Sequence, residues 1–157
     1  MIEKQTTLLY LLKDNQILLA MKKRGFGVGK YNGVGGKLEP GETVEQAMIR
    51  ETQEEIGVTP IHYQKHGVLR FDMYYRGEHL LEDVHIFTAT EFNGEPCETE
   101  EMCPAWFNLD KIPFQKMYPT DKIWLPLVLE NRGYFEGMFK FSHDLDSQLI
   151  DYKIEMK

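Results

Sequence analysis

Cysteine is scarce in this 157-residue chain: Cys97 and Cys103 are the only two. Two thiols six positions apart form neither a disulfide framework nor a zinc-ligand spacing. Free thiols in a reducing compartment are expected. Neither lies in a basic stretch, which argues against a nucleophilic cysteine. Positive charge is also in deficit, with 18 Lys and Arg against 25 Asp and Glu and a formal net charge of −7. That balance excludes a duplex nucleic-acid binder by bulk electrostatics. No apolar run is long enough to span a bilayer. The start, Met1-Ile2-Glu3-Lys4-Gln5, lacks the basic opening and apolar run of a signal peptide. The expectation is a cytoplasmic, monomeric protein with no membrane partner. Internal repeats and low-complexity linkers are missing too. His79 and His85 have no third ligand at zinc spacing, which leaves them structural or surface roles.

What remains is a globular composition, 42% hydrophobic and 27% charged, in a chain long enough for one domain over residues 1–157 with a real core. Thr6 to Leu12 is a near-continuous apolar run of strand length, as expected of a strand buried on both faces. Asp14-Asn15 marks a turn, and Gln16 to Lys22 reads as the return strand. Lys23 to Lys30, with glycines at 25, 27 and 29, fails both the Walker A and the dinucleotide patterns and reads as a loop. Strands are expected at His66 to Tyr75, Asp83 to Phe92, Tyr134 to Phe141 and Gln148 to Ile154, with a short apolar piece beginning at Trp106-Phe107. Thr120 or Asp121 can cap a helix carrying Ile123, Trp124, Leu127 and Val128 on one side. Pro126 should kink or split that helix. Strands interleaved with two helices imply an α/β layered domain, a mixed sheet between helices.

The most informative stretch is Gly36 to Gly57. Pro40-Gly41 punctuates a turn, and Thr43 stands three residues before Gln46 at the spacing of a capping box. Gly57 is a natural helix stop. Within the helix so bounded, Val44, Ala47 and Met48 form an apolar stripe. One heptad later the stripe reads Glu51, Glu54 and Glu55. Glu51 and Glu55 are like charges at i, i+4, costly if partly buried unless a cation compensates. Carboxylate oxygens without histidine or cysteine suit a hard ion such as Mg²⁺ or Mn²⁺. A solvated acidic face is the plainer alternative, but such a face should be polar along its whole length.

The pattern Gly36-x5-Glu42-x7-Arg50-Glu51-Thr52-x-Glu54-Glu55-x-Gly57-Val58 resembles the signature box of the Nudix hydrolase family. The family has a bulky aliphatic residue where Thr52 stands; every other fixed position matches. Similarity to the branch acting on oxidised purine nucleoside triphosphates extends through Met21 to Gly27, Asn32 to Lys37, Asp83-Val84-His85, Glu101-Met102, Trp106-Phe107, Ile112-Pro113-Phe114, Met117 to Asp121, Trp124, and Tyr134 to Phe141. The resemblance implies a Nudix-type α/β/α sandwich with a mixed β-sheet. It also implies Mg²⁺-dependent hydrolysis of oxidised purine triphosphates to the monophosphate and pyrophosphate.

Carried over residue by residue, the resemblance implies a metal site of Gly35, Glu51, Glu54, Glu55 and Glu101. Arg50 should orient a carboxylate, with Glu42 as its partner. Substrate contacts are implied for Thr7, Lys22, Phe26, Asn32, Val34, Gly35, Gly36, Lys37, Phe71, Tyr118, Thr120 and Asp121. Two positions depart from the branch, which carries tryptophan at Tyr118 and an aspartate pair at Thr120-Asp121. Base discrimination is therefore expected to differ here. Two alternatives stay open: a Nudix hydrolase of another diphosphate, such as a dinucleoside polyphosphate, a nucleotide sugar or capped RNA, and a non-catalytic nucleotide-binding module.

Overall fold

A computed structural model describes all 157 residues. The first strand, β1 (Ile2–Lys13), turns back through Asp14 and Asn15 into β2 (Gln16–Lys22). Both turn residues have positive φ, 51° and 62°, the geometry that matches a two-residue turn to strand twist. A short β3 (Tyr31–Asn32) pairs with β2, and helix α1 (Val44–Ile56) follows. Next come the long hairpin β4 (Thr59–Tyr75) and β5 (Glu78–Asn93), then β6 (Met102–Asn108), helix α2 (Asp121–Leu129), β7 (Phe135–Phe141) and β8 (Leu149–Met156).

The strands run in the order β3-β2-β1-β5-β4-β7-β8, with β6 paired to β2. The β1–β5 and β4–β7 pairs are parallel and the others antiparallel, so the sheet is mixed. Alternation along β1 sends Tyr10 to one buried cluster and Leu9 and Leu11 to another. The run is apolar because both faces are covered. Met48 and Ile56 of α1 join Leu9 and Leu11, while Trp124, Leu125 and Val128 of α2 join Tyr10. The helices thus lie on opposite faces of the sheet, the α/β sandwich expected from the sequence.

Several boundaries differ from expectation. β4 begins at Thr59 rather than His66; its first half carries register shifts and exposed His62, Tyr63 and Gln64, so alternation is lost there. β6 begins at Met102, ahead of Trp106. Helix α2 is neither split nor capped as expected. Thr120 makes no capping hydrogen bond, and the Asp121 carboxylate instead accepts from the preceding Tyr118 N–H at 3.2 Å. The helix continues through Pro126 because the carbonyl that proline orphans belongs to exposed Lys122, where water can reach it. Its buried residues are Asp121, Trp124, Leu125 and Val128. No helix is long and apolar enough to cross a membrane.

Candidate active site

The segment from Val34 to Leu38 lies along the free edge of β1. Thr7 N–H donates to Gly36 O at 2.9 Å, Leu9 and Val34 exchange bonds at 2.7 and 2.9 Å, and Leu38 N–H donates to Gln5 O at 3.1 Å. The approach is so close that a Cβ on Gly35 would stand 1.8 Å from Thr7 O. On Gly36 it would stand 2.5 Å from the Glu51 carboxyl carbon. At 35 the obstacle is backbone, so glycine is required there by contact rather than by φ; at 36 a side chain would displace the Glu51 carboxylate.

The turn at Gly41, with φ of 82°, then delivers the chain to α1. Thr43 and Gln46 form the reciprocal capping box, at 3.1 and 2.9 Å. Gly57 closes the helix in the left-handed conformation. Thr52, where the family pattern has an aliphatic residue, is fully buried, and its hydroxyl donates to Met48 O at 2.8 Å. That bond satisfies the hydroxyl inside the helix and removes the burial cost.

Arg50 organises the acids. Its guanidinium holds Glu42 through two bonds of 2.6 and 2.9 Å, Glu51 at 2.9 Å, Glu54 at 3.2 Å and the Lys37 carbonyl at 3.1 Å. The paired arginine lowers the Glu42 carboxyl to about 2, aided by the Glu39 N–H. Glu54 is 59% exposed and lies on the Arg50 side of the helix. The all-acid continuation of the buried stripe is therefore corrected: Thr52, Glu55 and Ile56 are the buried residues of the second half. Seven residues fall about 20° short of two turns, and Arg50 draws Glu54 outward.

Glu55 is different. It is 7% exposed, and its Oε2 is buried without a hydrogen-bond partner. Burial, then the Glu51 charge, raises its pKa to about 8, against the opposing Gly35 N–H and Lys22. An orphaned buried carboxylate oxygen beside a second acid is the donor set a hard cation would complete. No three acidic, histidine or cysteine side chains surround a common point, however. Glu101 is 56% exposed and 3.6 Å from Arg24. It adds to the negative field on Glu55.

Glu55 opens onto a cavity of about 220 Å³. Of the expected substrate contacts, Thr7, Lys22, Phe26, Asn32, Gly35, Gly36, Phe71, Tyr118, Thr120 and Asp121 line it. Val34 and Lys37 do not: bridged to Leu9, Val34 turns its side chain into the core, and Lys37 is exposed. Other polar groups of the lining are unspent. Asn32 Oδ1 accepts from Tyr10 Oη at 3.1 Å and Gly33 N–H at 2.8 Å, which leaves its amide N–H groups for a ligand. Thr7 Oγ1 and Trp124 Nε1 are buried without partners, the indole adjoining Asp121 without bonding to it. Burial lifts Asp121 to about 7. Phe26 stacks on Tyr118 at 6.3 Å between centroids, and Lys30 reaches over the Tyr118 ring to pair with Asp146 at 3.0 Å.

Sequence reasoning missed Thr6, Gly27, Lys30, Glu82 and Leu145, which also line the cavity. Gly27 and Lys30 lie in the glycine loop read as a plain connection, and Thr6, Glu82 and Leu145 come from separate strands and loops outside any motif. His79 and His85 have ordinary partners, Asp72 at 2.6 Å and Gln5 at 2.7 Å.

The chain has counterparts among known proteins. The chain is 46% identical over 153 residues to an oxidized purine nucleoside triphosphate hydrolase of Danio rerio, covering 97% of this chain and 94% of that protein. It is 47% identical over 148 residues to the Mus musculus protein of the same name, covering 94% and 92%. The mutator MutT protein from Bacillus halodurans superposes with a TM-score of 0.84 at 26% identity, covering 97% of each chain. The NUDIX domain profile matches residues 3–128, and the chain is a member of the Nudix hydrolase family.

Proposed function

We propose that this Nudix hydrolase cleaves oxidised purine nucleoside triphosphates, such as 8-oxo-dGTP or 2-hydroxy-dATP, to the monophosphate and pyrophosphate, and so cleanses the nucleotide pool. One observation carries the reading. A single cavity is lined by Glu55, whose Oε2 has no partner, and by the unspent Asn32 amide and the buried Asp121. Its volume suits a base, with the charged tail extending past Glu55. The full-length similarity to two oxidised-purine hydrolases supports the same choice.

Hydrolases of this family use a divalent metal, and we assign Mg²⁺, with Mn²⁺ as a substitute. Mg²⁺ is commonly held by one or two carboxylates plus phosphate oxygens and water. Glu55 and Glu51 are the pair nearest that requirement, and it needs no three-acid cage. When bound, the ion lowers the pKa of water and neutralises charge on the phosphates. The chain's own residues do the rest. Arg50, anchored by Glu42, fixes Glu51 and Glu54 in place. The Gly35 N–H steadies Glu55. The glycine backbone at 35 and 36 lets the phosphates approach. Lys22 faces their charge. Phe26, Phe71 and Tyr118 enclose the base, and Asn32 and Asp121 read its edge.

The test is steady-state turnover of 8-oxo-dGTP, 2-hydroxy-dATP and dGTP with Mg²⁺, with products resolved by chromatography. Monophosphate and pyrophosphate from an oxidised purine are expected at a kcat/KM above that for dinucleoside polyphosphates, nucleotide sugars and capped RNA. Preference for one of those substrates would replace this reading.

A further inference from the structure

The inward face of β5 reads Leu80, Glu82, Val84, Ile86: three apolar side chains buried in the core and one acid. Glu82 is directly opposite Phe71 on β4, with Lys4 as its register partner on β1. Phe71, Val84 and Glu82 all line the cavity. A carboxyl in such a row has an environmental cost unless something uses it. Its one hydrogen bond is from Thr6 Oγ1 to Oε2 at 3.2 Å, and no basic side chain forms an ion pair with it. Burial raises its pKa. Asp121 and Glu82 both act on Tyr118.

We propose that Glu82 is a second base-reading acid of the cavity, accepting N–H groups of a guanine-type purine and thereby helping to determine substrate choice. The inference rests on the purine reading of the cavity. A carboxylate matches adjacent ring and exocyclic N–H donors in pairs, and it is left unpaired by a base lacking them. Glu82 thus supplies a second acid to the slot from a strand, where Thr120 has left Asp121 without an acidic neighbour on α2.

Binding separates this idea from turnover. Calorimetry would compare 8-oxo-dGMP, dGMP and the monophosphate of unsubstituted purine deoxyriboside, a base with no N–H groups. Glu82→Gln keeps an acceptor for Thr6, and Glu82→Met keeps the length of the side chain. Both variants should weaken 8-oxo-dGMP and dGMP about tenfold while changing the unsubstituted purine by less than about twofold. Equal loss for all three ligands, no loss for any, or no binding by the parent protein would overturn the proposal. Binding that behaves as expected without triphosphate turnover would instead overturn the hydrolase reading alone.

Discussion

The two ends of the cavity are built by different means. At the end assigned to the phosphates, every important group but Lys22 lies within Gly35 to Gly57, one turn and one helix. Its geometry follows from local constraints: Gly35 against β1 and Gly36 against Glu51, a capping box, and an arginine holding Glu42, Glu51 and Glu54. At the base end, Asn32, Phe71, Glu82, Tyr118, Thr120 and Asp121 arrive from β3, β4, β5 and the start of α2. They meet only because the sheet brings them together. The first end is held to one chemistry by spacing. The second can vary residue by residue, so substrate choice can change without disturbing hydrolysis.

The largest effect is expected at the first end. Glu55→Gln keeps the shape but cannot ionise to take a cation, and turnover should fall by roughly 10²–10⁴ with little change in melting temperature. Near-normal turnover would remove Glu55 from the chemistry.

A stability effect is expected at the second end. Asp121 ionises near pH 7 when folded but near 3.8 in its ordinary state. Between those values the native protein holds a proton that the unfolded chain has released. Asp121's contribution is thus present at low pH and lost as pH rises through about 7, by up to ~4 kcal/mol. Asp121→Asn cannot ionise and retains an acceptor for the Tyr118 N–H. Urea denaturation should find it stabilised relative to the parent at pH 8 and not at pH 4. An equal shift at both pH values would contradict the burial account.

The smallest effect is one of selectivity. Thr120→Asp restores an adjacent acid pair, and two carboxyls in a dry pocket can share a proton to donate and accept at once. The kcat/KM ratios among 8-oxo-dGTP, 2-hydroxy-dATP and dGTP should shift severalfold. Unchanged ratios would remove Thr120 from base discrimination.

The same contrast explains what could be read from the sequence. The α1 boundaries and the Thr43–Gln46 box were legible because they are local rules. The apolar run at Thr6 to Leu12 revealed a strand covered on both faces. The α/β layering followed from those elements, and the Nudix box carried the fold. Glu54 was misplaced because heptad spacing approximates helical phase and ignores the pull of Arg50. Val34 faces the core because it bridges to Leu9, and Lys37 is exposed, so neither side chain lines the cavity. Glu82 was hidden for a deeper reason. In sequence it is one acid beside another, Glu82-Asp83, and only the strand's alternation and the neighbouring Phe71 reveal that it faces inward. Asp83, one residue on, faces the other way and pairs with Arg70 at 2.7 Å.

One structure would test the central claim that both ends grip a single molecule. It is a crystal structure with Mg²⁺ and a non-hydrolysable 8-oxo-dGTP analogue. The account predicts an ion at roughly 2.0–2.1 Å from a Glu55 oxygen, bridging to the phosphates, with the base seated among Asn32, Phe71 and Asp121. An ion bound elsewhere, with Glu55 still without a partner and the base outside the cavity, would contradict it.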